Sequence, residues 1–266
     1  MSENRKKVLK DADLRLQIPE ALTQAGFAFL AEYLRQQEFR LFISNLQHFV
    51  QGNPQFVVEY HQRRKSASPV MAALEEGQTE DDIQELIYRG YFLEPHQRVV
   101  DEMLYCKIID NWLAYISEVL ALIYTARPEA LKSSEQVRLD YILQFKDTET
   151  LVAALAERKV EKLAFLGIKD LADFFYKELS FTLVEDGEKF DYLIESVEIR
   201  NIIVHARGYV SKILKTRLPH YSGKIGEPVA LGDTYLLGNK LFTIAMDIDK
   251  RAAKKWNISC VPTKAF

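Results

Sequence analysis

Apolar residues return every three or four positions along most of this chain, the spacing of helices that each turn one face to a core. The pattern is longest from Pro95 onward. Val99, Val100, Met103, Leu104, Ile108, Ile109, Trp112, Leu113, Ile116, Val119, Leu120 and Ile123 form one broad stripe there, over roughly seven turns. It predicts a core helix that stops before Pro128, because proline disfavours a helical residue just ahead of it. Trp112 and Tyr115 read as packing residues on that helix. A second segment, 20–51, carries Leu22, Phe29, Leu30, Tyr33, Leu34, Leu41, Phe42, Leu46, Phe49 and Val50 at similar spacing. Gly52-Asn53-Pro54 stops this helix or helix pair.

Shorter elements follow the same logic. Ser133 offers a cap for a helix through Phe145, and 148–166 predicts one or two helices. Gly167 interrupts the pattern and 168–179 resumes it. V-E-D-G-E-K at 184–189 reads as a turn, and a second long helix is expected from about Phe190 to Lys215, ended by Leu218-Pro219. A loop, Y-S-G-K-I-G-E-P, then precedes a last helix from Val229 to Trp256. The polar stretches Q-R-R-K-S-A-S-P and E-E-G-Q-T-E-D-D within 62–82 read as solvated loops or helix ends. Strand signal is confined to a weak pattern at 181–184. These elements predict an all-α, up-and-down helical bundle over 93–260, with a helical N-terminal region over 1–92 as an extension.

Composition supports long helices: 11 glycines and 8 prolines punctuate 266 residues. With 48% apolar and 27% charged residues, the chain has the make-up of a globular protein with a sizeable core. No apolar run reaches the roughly 18–20 residues needed to span a bilayer, and the N-terminus has no signal-peptide pattern, so a cytoplasmic protein without membrane contact is expected. Cys106 and Cys260 lie far apart and match no metal spacing; Cys106 reads as a buried small hydrophobe. No Gly-rich phosphate loop, zinc motif, serine-nucleophile elbow or carboxylate pair is present, so neither cofactor nor metal is expected. The net charge of −3 means that any nucleic-acid site must be a local patch.

One stretch offers such a patch. Residues 198–212 read E-I-R-N-I-I-V-H-A-R-G-Y-V-S-K. At about 100° per residue, Ile199, Ile202, Ala206, Val210, Ile213 and Leu214 fall on one side of a helix, and Asn201, His205, Gly208 and Lys212 on the other. Asn201 and His205 are one turn apart, and the long stem of Arg200 lets its guanidinium reach towards His205. Gly208 costs about 1 kcal/mol relative to Ala in a helix interior, which reads as a kink or as room for a close approach. From Ile199 to Gly226 there is no acidic residue, while Arg200, Arg207, Lys212, Lys215, Arg217 and Lys224 are present. This is a cationic strip suited to phosphate, with Arg207, Lys212, Lys215 and Arg217 as candidate RNA contacts. Basic residues also favour helix C-termini without any ligand.

The chemistry of the set is specific. Histidine exchanges a proton near neutral pH and can take one from an RNA 2′-hydroxyl or give one to a leaving oxygen. Arginine offers fixed donors to phosphate oxygens, and asparagine can orient either partner. Arg200, Asn201 and His205 are therefore the candidate catalytic residues. The other histidines fit less well. Arg89 and His96 share a comparable spacing, but Gly90 and Pro95 interrupt it; His48 and His61 read as structural or exposed, and His220 as a loop residue without a partner.

The segment R-N-I-I-V-H-A-R-G-Y-V resembles the signature of the HEPN superfamily, in which an arginine, a polar residue, a few apolar residues and a histidine share one helix of a compact bundle. A long aromatic-rich helix precedes it, followed by P-E-A-L-K at 128–132 and I-K-D-L-A-D-F-F; after it come K-I-G-E-P-V-A-L and a last helix. This layout, over 93–256, is similar to HEPN proteins of bacterial defence and stress loci. The resemblance implies a metal-independent endoribonuclease with Arg200 and His205 as the catalytic pair and Asn201 beside them. It also implies a homodimer in which two motifs face one cleft, and a toxin–antitoxin or abortive-infection setting, with a nucleotidyltransferase-type antitoxin as the restraining partner in some relatives. One departure is Ala206, where many relatives carry a polar residue. Two other readings stand beside the nuclease: a non-catalytic helical module for dimerisation or for binding RNA or protein, and a purely structural one in which Arg200 pairs with Glu195 or Glu198.

Overall fold

The computed structural model describes residues 17–67, 77, 79, 81–82, 94–131, 137–164 and 166–263. It is an all-α helical bundle. In chain order the elements are β1 (Ala21–Thr23), α1 (Gln24–Gly52), α2 (Pro54–Ala67), α3 (Glu94–Ala126), a 3-10 turn (Pro128–Leu131) and α4 (Leu139–Ile142). There follow α5 (Thr148–Ala164), α6 (Ile168–Leu179), α7 (Gly187–Ala206), α8 (Lys212–Arg217), α9 (Thr234–Trp256) and β2 (Cys260–Pro262). β1 and β2 form an antiparallel pair, with Leu22 opposite Val261, that joins the start of α1 to the end of the chain. The strand pattern read at 181–184 is irregular chain instead. Residues 133–136 of the expected Ser133 helix, and most of the acidic stretch near 75–82, lie outside the described residues.

Two compact units divide the chain, and they cross the 92/93 boundary read from the sequence. The first comprises 1–34 and 105–266, the second 35–104. The start of α1 belongs to the first unit because Leu22, Ala25, Phe29, Leu30 and Tyr33 are buried in its core. That core is centred on α3, where Trp112, Tyr115, Ile116, Val119, Leu120, Ile123 and Tyr124 are all essentially inaccessible. α9 supplies Leu237, Leu241, Phe242, Ala245, Ile248 and Ala252 to it. The Tyr33 and Phe242 rings lie 4.9 Å apart, and Tyr33 donates from its hydroxyl to Asn239 Oδ1 at 2.7 Å. Tyr115 donates to the Ala245 carbonyl at 2.9 Å. These two hydroxyls are thus satisfied where burial would otherwise penalise them, whereas the Tyr124 hydroxyl and Trp112 Nε1 are buried without a hydrogen-bond partner among the described residues. Val99 and Met103, read as part of the α3 stripe, are exposed, and Cys106 is half-buried rather than buried.

A carboxylate from α9 closes the N-terminus of α1. Thr23 precedes the helix, and its hydroxyl accepts from the Gly26 amide at 3.0 Å, an ordinary N-cap bond. The Thr23 amide donates to Asp249 Oδ2 at 2.9 Å, and the Thr23 hydroxyl donates to Asp249 Oδ1. In a capping box the reciprocating carboxylate lies three residues on; here it comes from 226 residues away. Asp249 is 1% exposed, and burial pushes its carboxyl above the ordinary value against the pull of its hydrogen bonds. Gly26 makes the approach feasible, since a Cβ there would stand 2.6 Å from Asp249 Cγ and Oδ1.

Candidate functional site

The helix that carries the R-N-x-x-x-H motif begins where the sequence placed a turn. Asp186 caps α7 by accepting from the amides of Glu188 at 3.0 Å and Lys189 at 3.2 Å. Its buried face consists of Leu193, Ile194, Ser196, Val197, Ile199 and Ile202. The helix ends at Ala206, nine residues before the expected Lys215. Arg207 and Gly208 both take left-handed conformations, with φ of 55° and 73°, and both of their amides turn back to the Ile202 carbonyl. Gly208 is therefore not a helix-interior residue. It supplies part of a terminating turn that only glycine adopts without strain. Ser211 then caps the short helix α8 through the Leu214 amide at 3.2 Å, a local signal that sequence reasoning missed.

This break corrects the single-helix wheel beyond residue 206. Lys212 lies on α8 rather than one turn past Gly208 on the helix of His205. Ile213, expected on the packed side, is 63% exposed, while Val210 and Leu214 are buried.

The motif side chains are held unequally. Arg200 is half-buried, and its guanidinium meets a residue that sequence reasoning had not paired with it, Asp110 of α3. Nε donates to Asp110 Oδ1 at 2.9 Å and Nη2 stands 2.8 Å from the same oxygen. Nη1 donates to Asn201 Oδ1 at 3.2 Å. Glu195 and Glu198, the partners foreseen in the structural reading, are occupied otherwise: Glu198 binds Arg217 at 3.0 Å, and Glu195 stands 4.0 Å from His220 Nε2. The guanidinium thus swings to α3 and not towards His205, and no hydrogen bond joins Arg200 or Asn201 to His205. His205 sits in the last turn of α7, exposed and without a hydrogen-bond or ion-pair partner among the described residues. Five residues along a helix separate it from Arg200, about 7.5 Å of rise.

Nε, Nη1 and Nη2 each meet one oxygen, which leaves two of the five guanidinium N–H donors without a partner among the described residues. The Asp110 carboxylate fixes the plane of the group and leaves the remaining donors able to donate to a phosphate oxygen. It also cancels the charge locally, which weakens attraction for an anion.

The cationic strip divides in the same way. Arg207 and Lys212 are exposed, with no partner among the described residues. Lys215 instead donates to the Tyr221 carbonyl, and Arg217 is bound to Glu198, so these two are tied into the fold. His48 is exposed and His61 buried; Arg89 lies outside the described residues. A cavity of about 220 Å³ between α3, α5 and α6 is lined by Leu113, Ile116, Leu120, Val160 and Leu163, and no motif residue reaches it. Its polar member, Ser117, donates to the Leu113 carbonyl of its own helix, so the wall presents no reactive group. Among the described residues no group of three or more His, Cys, Asp or Glu is placed to hold a metal ion, and no helix is long and apolar enough to cross a membrane.

No family model, curated protein or solved structure matches this chain. The site therefore rests on its own geometry and on the motif.

Proposed function

We propose that the protein is a metal-independent endoribonuclease of the HEPN type. The observation that carries the reading is an exposed imidazole, His205, one helical turn beyond Asn201, on the helix where Asp110 and Asn201 fix the Arg200 guanidinium with two donors open. In the reaction His205 takes the proton of a ribose 2′-hydroxyl as that oxygen attacks the adjacent phosphorus. Arg200 donates to the phosphate oxygens as negative charge gathers on them. The new bond is 2′-O to phosphorus and the broken bond is phosphorus to 5′-O. The proton returns to the departing 5′-oxygen from an imidazolium, so the products are a 2′,3′-cyclic phosphate and a 5′-hydroxyl. On this reading Arg207 and Lys212 are backbone-phosphate contacts, and Lys215 and Arg217 support the fold around them. The reading carries with it a homodimer that brings two motifs to one RNA strand. Its setting is bacterial defence or toxin–antitoxin control, with a nucleotidyltransferase-type antitoxin as restraint.

The test is cleavage of a mixed-sequence RNA by the full chain in excess chelator. Cleavage is expected, and His205→Ala and Arg200→Ala should each abolish it while leaving the helical circular dichroism intact. Cleavage that appears only on addition of a divalent metal, or that survives His205→Ala, contradicts the reading. One observation favours a second reading, a non-catalytic helical module for dimerisation or for binding RNA or protein: the Asp110–Arg200 pair neutralises the arginine and ties two core helices together. That reading predicts RNA or protein binding that survives His205→Ala, with no cyclic-phosphate product.

A further inference from the structure

Helix packing leaves an apolar void in the first unit. The cavity of about 220 Å³ between α3, α5 and α6 is walled on α3 by Leu113, Ile116, Ser117 and Leu120, positions three and four apart that share one face. Val160 and Leu163 of α5 and Leu171 of α6 close it from the other side. Ile116, Leu120, Leu163 and Leu171 are buried. Two further lining residues reach the surface: Ala114 is exposed, and Leu166, just ahead of Gly167, is 40% exposed. The cavity therefore opens beside them. Among the described residues, none that lines it is charged.

Protein interiors hold few voids wider than a water molecule. An empty one of this size leaves its leucines without contact atoms on one side and destabilises the fold. Water is a poor occupant, because it needs about two to four polar partners. The wall offers one hydroxyl, that of Ser117, which donates to the Leu113 carbonyl at 3.2 Å. Its oxygen keeps lone pairs able to accept. One donor on a ligand is thus met, and further polar groups are not. A nucleobase, with several polar atoms along its edges, fails that condition. Size narrows the class further. An apolar cavity of about 150 Å³ takes benzene, and at the same ratio about 220 Å³ takes roughly nine non-hydrogen atoms. A rigid ring gives up the least freedom on entry.

We infer that this cavity is a binding site for a small neutral ring system with one N–H or O–H donor, of the size of indole or a substituted phenol. The ring enters between Ala114 and Leu166, lies among the aliphatic side chains of α3, α5 and α6, and donates to Ser117 Oγ. Apolar burial supplies the affinity, and the single hydroxyl fixes the orientation. The site involves none of Arg200, Asn201 and His205 and is read by binding alone. It stands or falls independently of the ribonuclease reading, which is read by cleavage.

The experiment titrates the full chain with indole, by calorimetry and by thermal melting. Saturable one-to-one binding is expected, with Tm raised by about 2–4 °C at roughly ten times Kd. Indole-3-carboxylate, the same ring with a charge, should bind at least about tenfold more weakly. Ser117→Ala should weaken indole about three- to tenfold through the lost acceptor. Val160→Phe fills the void from α5 and should abolish binding. Should that variant fail to fold, Ala114→Leu at the exposed mouth gives the same reading. The proposal is overturned by a wild type that takes up no indole or takes it up without saturation. It is overturned equally by a carboxylate that binds as tightly, by undiminished affinity in Ser117→Ala, or by binding that persists in the filled variant.

Discussion

Gly26→Ala sets two physical expectations against each other. Gly26 lies in the first turn of α1, where helix propensity alone favours alanine by up to about 1 kcal/mol. The packing opposes it: the added methyl would meet Asp249 Cγ and Oδ1 at 2.6 Å, about 1 Å inside ordinary contact. Asp249 is fully buried, so it can retreat only by lengthening its bonds to the Thr23 amide and hydroxyl. Each bond to a charged acceptor contributes about 1.5–3 kcal/mol. Partial loss of both, less the propensity gain and some relaxation, leaves a net destabilisation of about 2–4 kcal/mol. In a thermal melt this lowers Tm by roughly 5–12 °C. The cycle is closed with Asp249→Ala: in that background Gly26→Ala should become neutral or slightly stabilising, because the clashing group has gone. Gly52→Ala, which meets nothing within 4 Å, is the control and should change Tm little. A Gly26→Ala protein as stable as the wild type, or an equal loss in both backgrounds, would refute the buried clamp.

Three further outcomes follow from the same geometry. Gly208→Ala places a side chain at φ 73° and should cost about 1–2 kcal/mol in urea unfolding; an unchanged midpoint would argue for an unbroken helix through 208. Because burial raises the Asp249 carboxyl, the folded state holds its proton more tightly than the unfolded chain does. Its contribution is therefore full below the ordinary carboxylate range and is lost as pH rises through the raised value. The stability of wild type relative to Asp249→Asn should accordingly improve as pH falls towards that range, and a shift in the opposite direction would mean that the hydrogen bonds outweigh burial. Asp110→Ala removes a part-exposed ion pair and should cost under about 1 kcal/mol, but on the ribonuclease reading it frees the guanidinium and lowers RNA cleavage at least about tenfold. Unimpaired cleavage would remove Asp110 from the site.

The helices most legible in the sequence are those with clear punctuation. α3 ends ahead of Pro128, α6 starts after Gly167, and Trp112 and Tyr115 pack as their positions on the stripe suggested. The helix expected through Lys215 ends at Ala206 instead, because apolar spacing continues on both sides of Gly208 and hides a turn built from two left-handed residues and a Ser211 cap. Periodicity also reveals that a helix is amphipathic without revealing which side is covered, so the exposure of Leu41, Phe42, Leu46 and Phe49 on α1 could not be foreseen from their spacing. The motif itself was visible as R-N-x-x-x-H. Its tie to Asp110, 90 residues away, was not, since nothing local marks that aspartate among the many acidic residues of the chain. The Thr23–Asp249 clamp is hidden for the same reason.

On the ribonuclease reading, His205 and Arg200 direct a 2′-hydroxyl onto the neighbouring phosphorus. The most direct measurement is the chemical identity of the 3′ end left by the purified chain acting on RNA in chelator, read by mass spectrometry. A 2′,3′-cyclic phosphate is expected, and no cut where the scissile nucleotide is replaced by its 2′-deoxy form. A 3′-hydroxyl end, or cleavage that continues past the deoxy substitution, would contradict it.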